Sequence, residues 1–180
     1  MDTSDLVQTA LYVAAQAHNG QLRPGTDLPY IVHISDVALE VAAALTVEPH
    51  ADRTLALCCA LLHDVLEDTT IGEAVLTAQF GPAITAGVLA LTKNSALLPT
   101  ERMADSLRRI QAQPREVWLV KLADRISNLS TLPPAHWSAE RIAAYRSESE
   151  LILATLGSAS PYLAARLQTK IDRYGVINGR

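Results

Sequence analysis

Apolar residues recur at three- and four-residue spacing along most of the chain, in runs punctuated by glycine and proline. Ser4 or Asp5 is placed to cap a first helix running to about His18, with Gly20 ending it. Gln21 to Tyr30 reads as a loop containing Pro24, Gly25 and Pro29. A second helix starts near His33, carries Val37, Ala38, Val41, Ala42 and Leu45, and meets a break at Pro49. Asp52 to Glu67 predicts a strongly apolar helix suited to the centre of the molecule. Thr70 and Glu73 have capping-box spacing for a short helix ending near Phe80, after which Gly81-Pro82 resets the chain. Beyond a loop at Asn94 to Pro99, helices are expected over Glu101 to Gln111 and from Pro114 to Leu129. Pro133-Pro134 is a break. Ser138 is a good N-cap for a helix through Ile142, Tyr145 and Ile152 that stops at Gly157, and a last helix spans Pro161 to Tyr174 before Gly175. No stretch alternates over a strand's length, and there is no repeat or interdomain linker. The pattern predicts one all-α domain over residues 1–180.

Composition refines this picture. Hydrophobic residues make up 49% of the chain but aromatics only 4%, so the core must be built mainly from Ala, Leu, Val and Ile, a mixture that favours packed helices. A net charge of −4 argues against the basic face of a general nucleic-acid binder. It leaves room for a local cationic cleft and a phosphorylated substrate. Cys58 and Cys59 are adjacent and cannot staple the fold, so they read as small buried hydrophobes in a cytoplasmic protein. The opening residues lack a cationic and apolar leader pattern, and no apolar run is read as a membrane span. No obligate protein partner is evident.

The chemistry concentrates in Leu61-Leu62-His63-Asp64-Val65-Leu66-Glu67-Asp68-Thr69. Four ionisable groups on neighbouring turns of an apolar helix are costly to bury unless paired or bound to a cation. His63 and Glu67, and Asp64 and Asp68, are four apart and would share a helix face. Imidazole with carboxylate suits Mn, Fe, Co or Zn, and the lack of a cysteine ligand argues against a structural zinc site. His33 and Asp124 are further candidate ligands. Such a site, left open to water, suits metal-assisted hydrolysis. An isolated His-Asp pair is more often a core histidine beside a solvated helix end; the joint pattern with the second acidic pair outweighs that reading.

In order, Gly20-Gln21-Leu22-Arg23, Pro29-Tyr30-Ile31-Val32-His33, Leu62 to Thr69 and Lys121-Leu122-Ala123-Asp124-Arg125-Ile126-Ser127-Asn128-Leu129 make the chain resemble the hydrolase domain of RelA/SpoT-type alarmone enzymes, within the HD metal-hydrolase superfamily. Trp137 to Arg141 with Tyr145 is similar to the stand-alone small alarmone hydrolases. The resemblance covers roughly residues 5 to 174, with no space for a synthetase domain. It implies an HD-domain helical bundle and one divalent metal, usually Mn²⁺, on His33, His63, Asp64 and Asp124. Glu67 and Asp68 would orient or deprotonate the attacking water, with either as base. The implied reaction removes the 3′-diphosphate of ppGpp or pppGpp, giving GDP or GTP and pyrophosphate, an activity in the phosphoric diester hydrolase class. Arg23 would meet the nucleobase, Asn128 the sugar-phosphate, and Thr131 and Tyr145 the same region. Lys121 and Arg125 read as structural partners of the acidic cluster, and His18 as a structural hydrogen-bonder.

Several positions depart from the family pattern. Pro24 stands in place of a second basic residue, Ile34 in place of a proline, and Ser127, Leu129 and Ser130 in place of His, Met and Arg. Lys93 is the candidate to replace a lysine missing from the loop after it. Pro24 and Ser130 keep open the same chemistry on (p)ppApp or on the 2′-phosphate of NADPH; a non-enzymatic nucleotide sensor would predict a missing ligand or acidic pair, and neither is missing.

Overall fold

A computed structural model describes residues 2–47 and 51–175. Pro49 lies outside the described residues. The described chain forms nine α-helices: α1 (Thr3–Ala17), α2 (Ile31–Ala44), α3 (Arg53–Leu62), α4 (Val65–Asp68), α5 (Glu73–Leu91), α6 (Pro99–Gln111), α7 (Arg115–Asn128), α8 (Ala139–Leu156) and α9 (Pro161–Arg173), with a 3-10 turn at Gly157–Ala159. Its only β pairing among the described residues is a single antiparallel bridge, Leu22 to Pro29, within the loop before α2.

Two helices form the centre. α3 packs against α1, α2, α5 and α7, and α7 touches α2, α3, α5, α6, α8 and α9. Their sequences explain this. Leu55, Ala56, Cys58, Cys59, Ala60, Leu61 and Leu62 are all buried in α3, so that helix is apolar almost all round. α7 buries Val117, Leu119, Val120, Leu122, Ala123 and Ile126, but also Lys121, Asp124, Arg125 and Ser127. One side of α7 is therefore core and another is a buried polar wall. The small residues matter for close approach. A Cβ on Gly87 of α5 would lie 2.6 Å from Cys59 Sγ and 3.0 Å from Val117 Cγ2.

Several expected boundaries move. α1 begins at Thr3 behind Asp2, so neither Ser4 nor Asp5 is the cap. α2 and α6 each start two residues earlier than expected. The Thr70–Glu73 capping box does not form: Gly72 precedes α5, and no side chain caps it. Ser138 does cap α8, its hydroxyl accepting from the Arg141 amide at 3.3 Å. Gly81, at φ +81°, interrupts α5 just before Pro82. Glycine takes this left-handed backbone without a Cβ clash. The expectation of no membrane-length apolar run needs correction. The 19-residue α5 is long and apolar enough by length and composition, although it is kinked at Gly81 and packs on α3, α6 and α7.

The most consequential correction concerns the predicted helix from Asp52 to Glu67. It ends at Leu62, and a short new helix starts at Val65, so the chain turns at His63-Asp64. The cause is local. His63 Nδ1 meets the Ala60 carbonyl at 2.8 Å, satisfying one of the acceptors that a helix C-terminus leaves open. The amides of Glu67 and Asp68 in turn bond to the Asp64 carbonyl. The i,i+4 face inferred for an unbroken helix does not exist; the turn itself aims these side chains.

Candidate active site

Three elements bring the candidate ligands together. His33 comes from the first turn of α2, His63 and Asp64 from the turn after α3, and Asp124 from the polar side of α7. His33 Nε2 lies 3.6 Å from Asp64 Oδ2 and 3.5 Å from Asp124 Oδ1. His63 Nε2 lies 3.0 Å from Asp64 Oδ2 and 3.9 Å from Asp124 Oδ1. Ligand atoms of His33, His63 and Asp64 all fall within 4.8 Å of one another, close enough to hold one metal ion. The donor set also fits. His63 Nδ1 is committed to the Ala60 carbonyl, while its buried Nε2, close to Asp64 but outside hydrogen-bond alignment, has no hydrogen-bond partner. A buried imidazole nitrogen that no hydrogen bond claims, beside two carboxylates, is a ligand set suited to a borderline divalent ion.

The electrostatics point the same way. Burial alone would lower the His63 imidazole, but Asp64 and Asp124 outweigh it and push it up to about 9. Burial would raise Asp64, yet His63 and His33 hold it well below the ordinary carboxylate range. Asp124 is likewise held low, against its burial, chiefly by Lys121 and the two histidines. Lys121 Nζ donates to Asp124 Oδ2 at 3.0 Å, and Asn128 Nδ2 donates to Asp124 Oδ1 at 2.7 Å. The crevice thus holds more negative than positive charge at its centre, and a proton on His63 occupies the role of a cation.

Glu67 and Asp68 line this same crevice of about 100 Å³, together with Tyr30 and Lys93. Lys93 holds both oxygens of Glu67: its amide donates to Oε2 at 2.9 Å and its ammonium to Oε1 at 2.7 Å. The Asp68 carboxylate has no hydrogen bond among the described residues, and burial followed by the charges of Asp64 and Glu67 raises its pKa.

Lys93, Lys121, Asp124 and Asn128 also border a second, wider cavity of about 420 Å³, so the two spaces adjoin. Arg23, Thr131 and Tyr145 line the wider one, as does Pro24. Its wall is cationic: Arg102 from α6 and Arg141 from α8 join Arg23, Lys93, Lys121 and Arg125. Tyr145 packs on Arg125, whose guanidinium carbon sits 4.0 Å from the ring centroid, and meets Trp137 edge-on at 5.2 Å. Arg141 lies over Trp137 at 4.9 Å. Arg125 faces Ser149 and Glu148 rather than the acidic cluster expected for it. Ser130 does not border this cavity. Its hydroxyl bonds to the Ile126 carbonyl and it faces a separate hollow beside α9. His18 meets Gln21 at 2.7 Å and stands outside the ligand cluster.

Three contributors could not be read from the sequence pattern. Tyr30 donates to Asp64 Oδ2 at 2.5 Å; burial and the Asp64 charge raise its phenol, keeping it a donor. Ser127 meets His33 Nδ1 at 3.0 Å. Asp36, one turn beyond His33 on α2, pairs with Arg23 at 2.7 Å. None stood out by residue type, and their partners are distant in sequence.

Residues 10–162 match the family described as HD domain. The chain is 28% identical over 177 residues to the guanosine-3′,5′-bis(diphosphate) 3′-pyrophosphohydrolase of Danio rerio, covering 97% of this chain and 96% of that one. It is 38% identical over 163 residues to a GTP pyrophosphokinase of Myxococcus xanthus, covering 86% of this chain but only 20% of that protein. Several of its curated relatives are thus far longer; the chain spans about a fifth of their length. Among solved structures, a metazoan ortholog of SpoT described as hydrolysing ppGpp superposes with a TM-score of 0.81 at 27% identity, covering 96% of this chain and 97% of that one. A Listeria monocytogenes protein, at 24% identity and a TM-score of 0.61, shares the fold.

Proposed function

The chain belongs to the HD-domain family, and from that premise we propose that it is a metal-dependent 3′-pyrophosphohydrolase of guanosine-3′,5′-bis(diphosphate). The observation that carries the reading is the adjoining pair of spaces: a histidine–aspartate crevice opening onto a larger cationic cavity. One is sized for the reacting phosphate and the other for the remainder of a polyanionic nucleotide. The relatives named for 3′-pyrophosphohydrolase activity are named for the guanosine compound, which favours it over ppApp or NADPH.

His33, His63, Asp64 and Asp124 would hold one divalent ion, for which the family resemblance points to Mn²⁺. When bound, such an ion lowers the pKa of water and neutralises charge developing on a phosphoryl oxygen. The remaining work falls to the protein. Tyr30, Lys121 and Asn128 fix the two carboxylates by hydrogen bonds. Asp68, raised and free of hydrogen bonds, takes the proton of the attacking water. The water oxygen joins the phosphorus attached to the 3′ oxygen, that P–O bond breaks, and the nucleoside keeps its 3′ oxygen, which takes up a proton from solvent. GDP and pyrophosphate result. Lys93 sits at the threshold of both spaces and turns from Glu67 to the substrate's phosphate, freeing Glu67 to orient the water. Asn128, Thr131 and Tyr145 border the sugar and phosphates, with Arg102 and Arg141 supplying the positive wall.

Parallel turnover assays of ppGpp, ppApp and NADPH with Mn²⁺ test the reading. Faster release from ppGpp is expected. No release from ppGpp, or a preference for either competitor, would overturn the substrate assignment.

A further inference from the structure

Arg23 is 6% exposed, and both terminal nitrogens of its guanidinium are already engaged. Nη1 donates to Asp36 Oδ2 at 2.7 Å; Nη2 donates to the Ser127 carbonyl at 2.7 Å and to Ser127 Oγ at 3.1 Å. Ser127 Oγ stands 3.0 Å from His33 Nδ1 and 3.5 Å from Asp36 Oδ2. Three elements therefore converge behind one candidate ligand: the loop through Arg23, the first turns of α2 through His33 and Asp36, and α7 through Ser127.

Donor and acceptor roles follow from chemistry. A guanidinium only donates and a carboxylate only accepts, while a hydroxyl donates once and accepts twice. Ser127 must accept from Arg23. Its own proton is drawn to Asp36, the one carboxylate within its reach among the described residues and the stronger acceptor. Its second lone pair then receives Nδ1–H of His33, which turns Nε2 toward Asp64 and Asp124, where a metal can take the place of any proton.

We propose that Arg23, Asp36 and Ser127 form a relay that fixes the His33 tautomer and ring orientation for metal binding, so that Arg23 is a positioning residue for the metal site. This rests on the metal-site half of the function proposed above. Its direct support is that the two interactions of Arg23 lead to His33 through Ser127, and Asp36 is exposed enough to have been left unpaired at little cost.

The test needs no nucleotide. In metal-free protein, long-range ¹H–¹⁵N NMR of the His33 ring should place its proton on Nδ1. Asp36→Asn and Ser127→Ala should give a mixture of tautomers. Calorimetric titration with Mn²⁺ should show Kd rising roughly 10-fold or more in Asp36→Asn, Ser127→Ala and Arg23→Met, the range typical of residues that orient a ligand. Asp36 is partly exposed, so its variant reports even if Ser127→Ala folds poorly. A ring protonated on Nε2 alone in the metal-free wild type overturns the relay, as does an unchanged Kd in Asp36→Asn and Arg23→Met. A wild-type chain that binds no Mn²⁺ overturns both the relay and the metal site. Normal Mn²⁺ linkage to these residues without ppGpp turnover would leave the relay standing and count only against the proposed substrate.

Discussion

Metal-free protein should lose stability as pH rises from 6.5 to about 9, the interval between the ordinary imidazole value and that of His63 here. In this window the unfolded chain carries a neutral His63, while the folded chain keeps it protonated between Asp64 and Asp124. The folded state therefore binds more protons. The stabilisation is fully present below pH 6.5 and lost as pH passes through about 9. At ~1.4 kcal/mol per pH unit, the proton on His63 contributes on the order of 3 kcal/mol. Burial also raises the thiols of Cys58 and Cys59 above the ordinary value near 9, so they begin to add their own loss at the alkaline end, which the comparison with His63→Gln subtracts. The assay is urea unfolding followed by circular dichroism in a chelator, at both ends of the window, for wild type and His63→Gln. The difference between the two proteins isolates the histidine. Adding Mn²⁺ displaces the proton and should flatten the wild-type profile. A wild type that stays equally stable, or becomes more stable, at the alkaline end would refute the electrostatic reading of the crevice.

Asp68→Asn should lower kcat by roughly 100-fold or more, the range for loss of a general base, with Mn²⁺ binding retained; near-normal turnover would move the role to Glu67. Lys93→Met should raise KM about 10- to 100-fold, since a hydrogen bond to a charged group is worth ~1.5–3 kcal/mol, and an unchanged KM would remove Lys93 from the substrate. Gly87→Ala should destabilise the protein by ~1–3 kcal/mol in chemical unfolding, because the new methyl group meets Cys59 Sγ at 2.6 Å; an unaltered midpoint would show that α3 and α5 separate freely.

Much of the helical architecture was legible because periodic apolar positions and proline or glycine breaks coincide. Ser138, Gly157 and Pro161 mark their boundaries from side-chain and backbone chemistry alone. The turn at His63-Asp64 was not legible. Leu61, Leu62, Val65 and Leu66 continue an apolar helical pattern straight through it, and only the His63 side chain on the Ala60 carbonyl shows where the helix stops. The crevice illustrates the same division. His33, His63, Asp64 and Asp124 are residue types that announce a metal, and folding brings them together. Tyr30, Asp36 and Ser127 have ordinary identities whose meaning comes from partners far along the chain, such as Ser127 on His33. Ser127 and Ser130 both looked like losses from a family pattern. In the fold one supports a candidate ligand and the other faces a separate hollow, while Arg102 of α6 and Arg141 of α8 contribute charge to the cationic cavity.

A single turnover of ppGpp in ¹⁸O-labelled water, with Mn²⁺ present and products resolved by mass spectrometry, tests the central claim most directly. Attack on the 3′-linked phosphorus predicts one labelled oxygen in pyrophosphate and an unlabelled GDP. Label in the nucleoside, orthophosphate as the first product, or no turnover would contradict it.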